Sequence, residues 1–376
     1  MGAIQSAIRV QPFKALYLSV VIPYELLRLP LFLIYYALPF NRPHKQWTLN
    51  QAFMVHLVKC HLYHSAKIEV HVPQTLEPGK EGDQFRIISP APANFYQGPL
   101  KPEILAPEKI GGTWYPSPYP LSNANKDDEL VVLQVHGGAF VIGNGRKTDC
   151  GFVASNLIKH FGANRVFCPQ YRLAQWPNSA FPAALQDVVT SYYYLTHTLQ
   201  IPASRIVLSG DSAGGNIVLA LLRYMGEFAD ALRFEAPSAA LLHSPWVDIA
   251  NGANKENIKH NPNYPTDYLN GEFGAWGARC YAKGQDPSGP WISPLGHAFK
   301  MPVPLWVQIG GAEVLYEEDL RLVKELEEAG NQVTCHLAEA APHDIALVGV
   351  ILGFAGQAKD CARRAGVWYR GLKRLS

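Results

Sequence analysis

None of the six cysteines is spaced to hold a metal or to form a redox pair: Cys60, Cys150, Cys168, Cys280, Cys335 and Cys361 are scattered, with no C-x-x-C among them. That excludes the common zinc patterns and small disulfide frameworks, and it points to a reducing, intracellular compartment. Charge is scarce as well. Only 17% of the 376 residues are charged and the net charge is +2, so no basic face is available for nucleic acid. Internal repeats and low-complexity tracts are lacking, which excludes solenoids and disordered chains. No basic n-region or small-residue cleavage site marks a cleaved secretory signal. What is plentiful is apolar side chain, 48% of residues. That suits one large α/β domain with a cap, or two domains.

Two apolar runs open the chain, Ala15 to Tyr24 and Leu29 to Phe40. Neither reaches the roughly 20 residues of a spanning helix, and Pro23 and Pro30 are expected to interrupt a helix joining them. About a dozen Leu, Ile, Val and Phe residues favour insertion by roughly 4 to 7 kcal/mol, while the charges of Glu25 and Arg28 oppose it by about 5 to 7. The balance is near zero. It favours an interfacial helix pair or hairpin over residues 13–40, against apolar cap helices on a soluble protein or a single span. An endoplasmic-reticulum membrane surface is the corresponding expectation. Gly2 in Met1-Gly-Ala-Ile-Gln-Ser6 also fits an N-myristoylation pattern. Residues 46–64 predict a helix whose His56, His61 and His64 are expected to be surface histidines. Residues 1–65 thus form an apolar N-terminal cap or membrane-associated unit, and residues 66–376 the main domain. Within that domain Ala66 to Val72 alternates as a first strand would. Short strand-like pieces follow at Phe85 to Ser89 and Gly111 to Tyr115, and residues 123–129 form a polar loop.

From Leu130 the pattern changes. Leu130-Val-Val-Leu-Gln-Val135 is a nearly unbroken apolar run, as expected of a strand buried on both faces of a parallel sheet. Strand-like runs at 165–168, 205–208, 238–242, 304–309 and 332–337 alternate with helical stretches, which calls for right-handed βαβ units and a mostly parallel, doubly wound sheet. Residues 249–290 break this alternation and read as a cap insertion. A terminal helix begins at Ile345.

Two turns carry the chemistry. Gly210-Asp-Ser-Ala-Gly214 lies between a short apolar strand and a helix, the context of a nucleophile elbow with Ser212 at its tip. Glycines two before and two after the serine relieve a turn too tight for Cβ atoms. His136-Gly-Gly-Ala-Phe140 follows the central strand and can aim backbone N–H groups at a developing oxyanion, the donors being drawn from Gly137, Gly138, Ala139 and, after the serine, Ala213.

With Tyr171-Arg-Leu-Ala174, Phe181-Pro-Ala-Ala-Leu-Gln-Asp187, Ser244-Pro-Trp-Val-Asp248 and Ile292-Ser-Pro-Leu295, these motifs make the chain resemble the hormone-sensitive lipase family of α/β-hydrolases over residues 130–350. The apolar first 40 residues are similar to those of fungal, membrane-associated members, some resembling steryl acetyl hydrolases. The resemblance implies an α/β-hydrolase fold and a cofactor-free, metal-free serine ester hydrolase acting on small-molecule esters. It implies short or medium acyl groups, acetyl among them, on a lipophilic alcohol. The order nucleophile, acid, histidine then places the base at His343. The acid falls at Glu313 in Gly310-Gly-Ala-Glu-Val-Leu315, with Asp248 and Glu317 as competitors. Asp344 is badly placed to reach the ring. Two other outcomes stay open: a binding protein that has lost turnover, and a biosynthetic enzyme using the same serine for acyl transfer or lactone formation.

Overall fold

The computed structural model describes residues 7–120, 129–232 and 234–375. Gly2 and most of the 123–129 loop lie outside them. Eight strands form one sheet in the order β1-β2-β4-β3-β5-β6-β7-β8. They are β1 Phe85–Ile88, β2 Ile110–Tyr115, β3 Val131–Val135, β4 Arg165–Gln170, β5 Ile206–Asp211, β6 Ala239–His243, β7 Leu305–Gly310 and β8 Val333–Ala338. β2 runs antiparallel to both neighbours, and every pairing from β4 to β8 is parallel. The doubly wound α/β expectation holds.

Helices α1 Phe13–Ala37 and α2 Leu49–Lys67 precede the sheet, and α3 Lys147–Asn156, α4 Ala183–Tyr193 and α5 Ala213–Glu227 connect its centre. Four short helices follow: α6 Ala229–Leu232, then α7 Ile249–Ala253, α8 Lys255–Lys259 and α9 Gly271–Tyr281, the last three within the 249–290 segment. The chain closes with α10 Tyr316–Glu328, α11 Ile345–Leu352 and α12 Ala355–Leu375. Successive strand residues point to opposite faces. Val132, Val166, Val207 and Leu241 therefore meet Ala365 and Tyr369 of α12 on one side. Leu133, Phe167, Leu208 and Leu242 join Leu185 of α4 and Ile217 of α5 on the other. Both layers of helix bury the sheet's centre, which is why the strands read as continuous apolar runs.

Two local expectations fail. Ala66 to Val72 is not a strand: α2 runs on to Lys67, and the sheet edge is made by β1 against β2. Alternation alone cannot make a strand where no neighbour offers a ladder of hydrogen bonds. Secondly, Pro23 and Pro30 do not end a helix, since α1 is continuous over 25 residues with both inside it. Seven residues apart, the two rings lie on one exposed face. Each removes a single ladder bond on that side only, and the helix carries on past them.

The described N-terminal residues 7–67 pack against the 249–290 segment through α2. Lys67 pairs with Glu272 of α9 at 3.3 Å, and the Lys59 ammonium donates to the Tyr264 carbonyl. His56 and His64 are not surface residues: His56 lies against Phe32, with ring centroids 3.8 Å apart, and His64 Nδ1 meets Tyr17 Oη at 2.6 Å. Both face α1. His61 alone is exposed.

Candidate active site

Ser212 sits where β5 ends and α5 begins, with φ 50° and ψ −119°. An L-residue is held there only by its surroundings, at a cost of roughly 1–3 kcal/mol. The flanking glycines explain the surroundings. A Cβ on Gly214 would stand 2.0 Å from the Val135 carbonyl oxygen, and one on Gly210 2.5 Å from the Gly214 oxygen. The turn is thus wedged against the end of β3. Ser212 also caps the start of α5, whose free N–H groups and dipole lie beneath its side chain.

His343 lies in the loop after β8 and is 2% exposed. Its Nε2 is 2.9 Å from Ser212 Oγ, and its Nδ1 is 2.8 Å from Glu313 Oε2. With Nδ1–H donating to the carboxylate, Nε2 is left to accept the serine proton. Glu313 comes from the turn after β7, where its other oxygen, Oε1, accepts the Gly310 N–H at 2.7 Å. The longer side chain folds back on its own turn and is fully buried. Burial works against charge on the His343 ring, but the bond to Glu313 and the negative charges of Glu313, Asp267 and Asp211 together outweigh it, and the imidazole pKa is raised above 6.5. Burial raises the Glu313 carboxyl too, opposed by that same bond.

The competing acids are engaged elsewhere. Asp248 Oδ1 caps α7 by accepting the Asn251 N–H at 2.8 Å, Glu317 is exposed on α10, and Asp344 caps α11 through the Leu347 N–H.

The loop after β3 is set by residues the motif does not contain. Tyr171 stacks on His136 with centroids 4.3 Å apart and donates its hydroxyl to the His136 carbonyl at 2.9 Å. Gly138, Ala139 and Phe140 take φ values of 104°, 51° and 63°. One expected donor is withdrawn: the Gly137 N–H is donated to Asp211 Oδ2 at 2.6 Å, so it does not face the serine. Glycine is required at 137 for another reason, since a Cβ would meet that carboxylate at 2.5 Å. The N–H groups of Gly138, Ala139 and Ala213 have no acceptor among the described residues. Gln134, buried in β3, donates Nε2 to Asp211 Oδ1 at 2.6 Å. Sequence reasoning missed its role, though a glutamine inside an apolar strand was the available signal.

Beside Ser212 opens a narrow cavity whose lining includes Ala139, Trp246, Ile258, Leu269, Phe273 and Leu315. Tyr268 of the cap approaches the other side of the relay, its ring 5.8 Å from that of His343.

Residues 132–347 match the family model of the alpha/beta hydrolase fold. The chain belongs to this family. The resemblance drawn from the motifs therefore holds for fold and family. Among curated relatives, an acetyl-hydrolase of Streptomyces hygroscopicus is 32% identical over 212 residues, covering 56% of this chain and 66% of that protein. A carboxylesterase/phospholipase of Mycobacterium tuberculosis is 31% identical over 192 residues, covering 50% and 48%. The matched part of this hydrolase-fold chain thus spans about half to two thirds of those relatives. A solved esterase of the bacterial hormone-sensitive lipase family shares the fold with TM-score 0.62 at 24% identity, over 86% of this chain and 98% of its own.

Proposed function

We propose that this α/β-hydrolase is a serine carboxylic ester hydrolase. The observation that carries the reading is the unbroken chain from Ser212 Oγ through His343 to Glu313, at 2.9 and 2.8 Å. In this reading Ser212 attacks the ester carbonyl while His343 Nε2 takes its proton and then hands it to the leaving alcohol. Gly138, Ala139 and Ala213 supply the N–H groups for the oxyanion, where each donor is worth about 3–4 kcal/mol in the transition state. Water, activated by the same imidazole, releases the acid and restores the serine.

The cavity beside Ser212 is narrow and lined mostly by apolar side chains, Ile258 and Leu315 among them. It supports a short or medium acyl group, acetyl included, with the lipophilic alcohol lying toward the cap. Rates with p-nitrophenyl esters are expected to be highest for acetate or butyrate and to fall by at least about tenfold by decanoate, because a chain longer than the cavity must push its walls apart at an overpacking cost of roughly 1–3 kcal/mol. A rate that climbs steadily to decanoate would overturn the acyl assignment.

α1 supports a membrane surface as the working location. The helix is long and apolar enough to cross a membrane by length and composition, and its polarity is inverted. Glu25 and Arg28 turn toward α2, with Glu25 3.2 Å from His64, while Leu16, Val20, Leu27, Leu31 and Ile34 face outward. A helix bathed in water does the reverse. Replacing Leu27, Leu31 and Ile34 together by serine is expected to move the protein from floated liposomes to the soluble fraction; unchanged flotation would count against this face.

A further inference from the structure

Two carboxyl groups that the relay does not use meet beneath it. Asp211 immediately precedes Ser212, Asp344 immediately follows His343, and the two carboxyl groups lie within hydrogen-bonding reach of one another. Both are buried, at 0% and 2% exposure. Two carboxylates in such contact need a proton between them. The surrounding donors decide who carries it. Asp211 accepts from Gln134 Nε2 at one oxygen and from Gly137 N–H at the other, both at 2.6 Å, the environment of an ionised acceptor. Among the described residues Asp344 accepts only at Oδ1, from Leu347 N–H at 3.1 Å, which leaves Oδ2 to hold the proton.

We propose that Asp344 is a protonated positioning residue: its carboxyl donates to the Asp211 carboxylate and thereby holds the nucleophile turn, the His136–Phe140 loop and the His343 loop in register. Asp211 is the hub. It reaches the oxyanion loop through Gly137, the core of β3 through Gln134, and the histidine loop through Asp344. Burial and mutual repulsion push the Asp344 carboxyl well above its ordinary range, and burial raises Asp211 to about 6. The other groups facing the pair are His343 and Glu313 from the relay, Tyr268 from the cap, and Tyr171 and Cys150 from behind the sheet end. Burial holds both phenols above their usual range, and the bond to Cys168 with burial does the same for the thiol. These three stay neutral through the neutral range. A folded value raised above the unfolded one means that the fold binds the Asp344 proton. Stability conferred by it is present below the unfolded value and is lost as pH rises through the folded one.

Three variants test this: Asp344→Asn, Asp344→Ala and Asp211→Asn. An asparagine at 344 keeps the cap acceptor and offers a permanent N–H donor to Asp211. It is expected to hydrolyse p-nitrophenyl acetate within about threefold of wild type, whereas Asp344→Ala loses about tenfold to a hundredfold for want of a bond to a charged acceptor. Asp211→Asn is expected to be the worse of the two amides, because its NH2 would face either Gly137 N–H or the Gln134 amide. A second arm does not depend on the esterase reading in Proposed function, on which the rate comparison rests. The unfolding midpoint of Asp344→Asn, relative to wild type, should climb as pH is raised from mildly acidic to alkaline. Asp344→Asn as impaired as Asp344→Ala, or a midpoint difference independent of pH, would overturn the proposal. No activity in the wild type with a pH-dependent midpoint difference would instead overturn the esterase reading and leave the shared proton standing.

Discussion

Ser212→Ala is expected to lower kcat for p-nitrophenyl acetate by about a millionfold, with KM changed little. The size follows from what is removed and what stays. Loss of Oγ ends the covalent path, and His343 then has nothing positioned to deprotonate except stray water. The N–H groups of Gly138, Ala139 and Ala213 remain, so a residual acceleration of roughly 10³–10⁴ over water should survive. The fold should be indifferent to the change. Alanine at φ 50° is strained about as much as serine, and among the described residues Oγ hydrogen-bonds only to His343. The measurement is a steady-state rate beside a thermal unfolding curve of both proteins. Wild-type turnover in an alanine variant that melts normally would sink the assignment of Ser212.

Glu313→Gln comes next, with an expected loss of about 10⁴-fold in kcat. The amide cannot accept the Gly310 N–H and the His343 Nδ1–H through two oxygens as the carboxylate does. If its NH2 turns toward the ring, the imidazole is forced into the tautomer that cannot take the serine proton. The pH profile should move as well. With the carboxylate present the His343 pKa lies above 6.5, so the acidic limb of kcat/KM in wild type falls above that pH. Without it the ring loses the strongest influence favouring the cation while burial still opposes it, so the limb should move to lower pH. Asp248→Asn is the comparison: an asparagine caps α7 as well as an aspartate does, so its rate should stay near wild type. A large loss there, with Glu313→Gln near normal, would transfer the acid role to Asp248.

Much of this was legible before any coordinates. Val131–Val135, Arg165–Gln170 and Leu305–Gly310 announce themselves because both sheet faces are covered, so continuous apolarity is itself the signal. The turn at Ser212 is a local pattern of glycines at fixed offsets, and the order of elements implied by the resemblance led to Glu313 and His343 as candidates, which lie within hydrogen-bonding distance in line with Ser212. What escaped is what depends on distant partners. Gly137 reads as an oxyanion donor until Asp211 is seen to take its N–H. Ala66 to Val72 alternates like a strand but finds no neighbour to pair with. Pro23 and Pro30 look like stops because a sequence does not reveal that both rings lie on one outward face. The proposed bond between Asp211 and Asp344 joins residues far apart in the chain, and no local pattern encodes it.

The contacts of α2 with the cap carry a further consequence. Lys67 with Glu272, Lys59 with the Tyr264 carbonyl and the Asn270 amide with the Lys59 carbonyl couple the N-terminal unit to the segment that roofs the serine. On the proposed membrane location, seating α1 in a lipid layer would therefore also set the attitude of that roof. Ester would then arrive from within the plane of the lipid, and the concentration governing turnover would be its mole fraction in the surface rather than its molarity in water. Inert lipid would act as a diluent, slowing the reaction with no change in the amount of ester present.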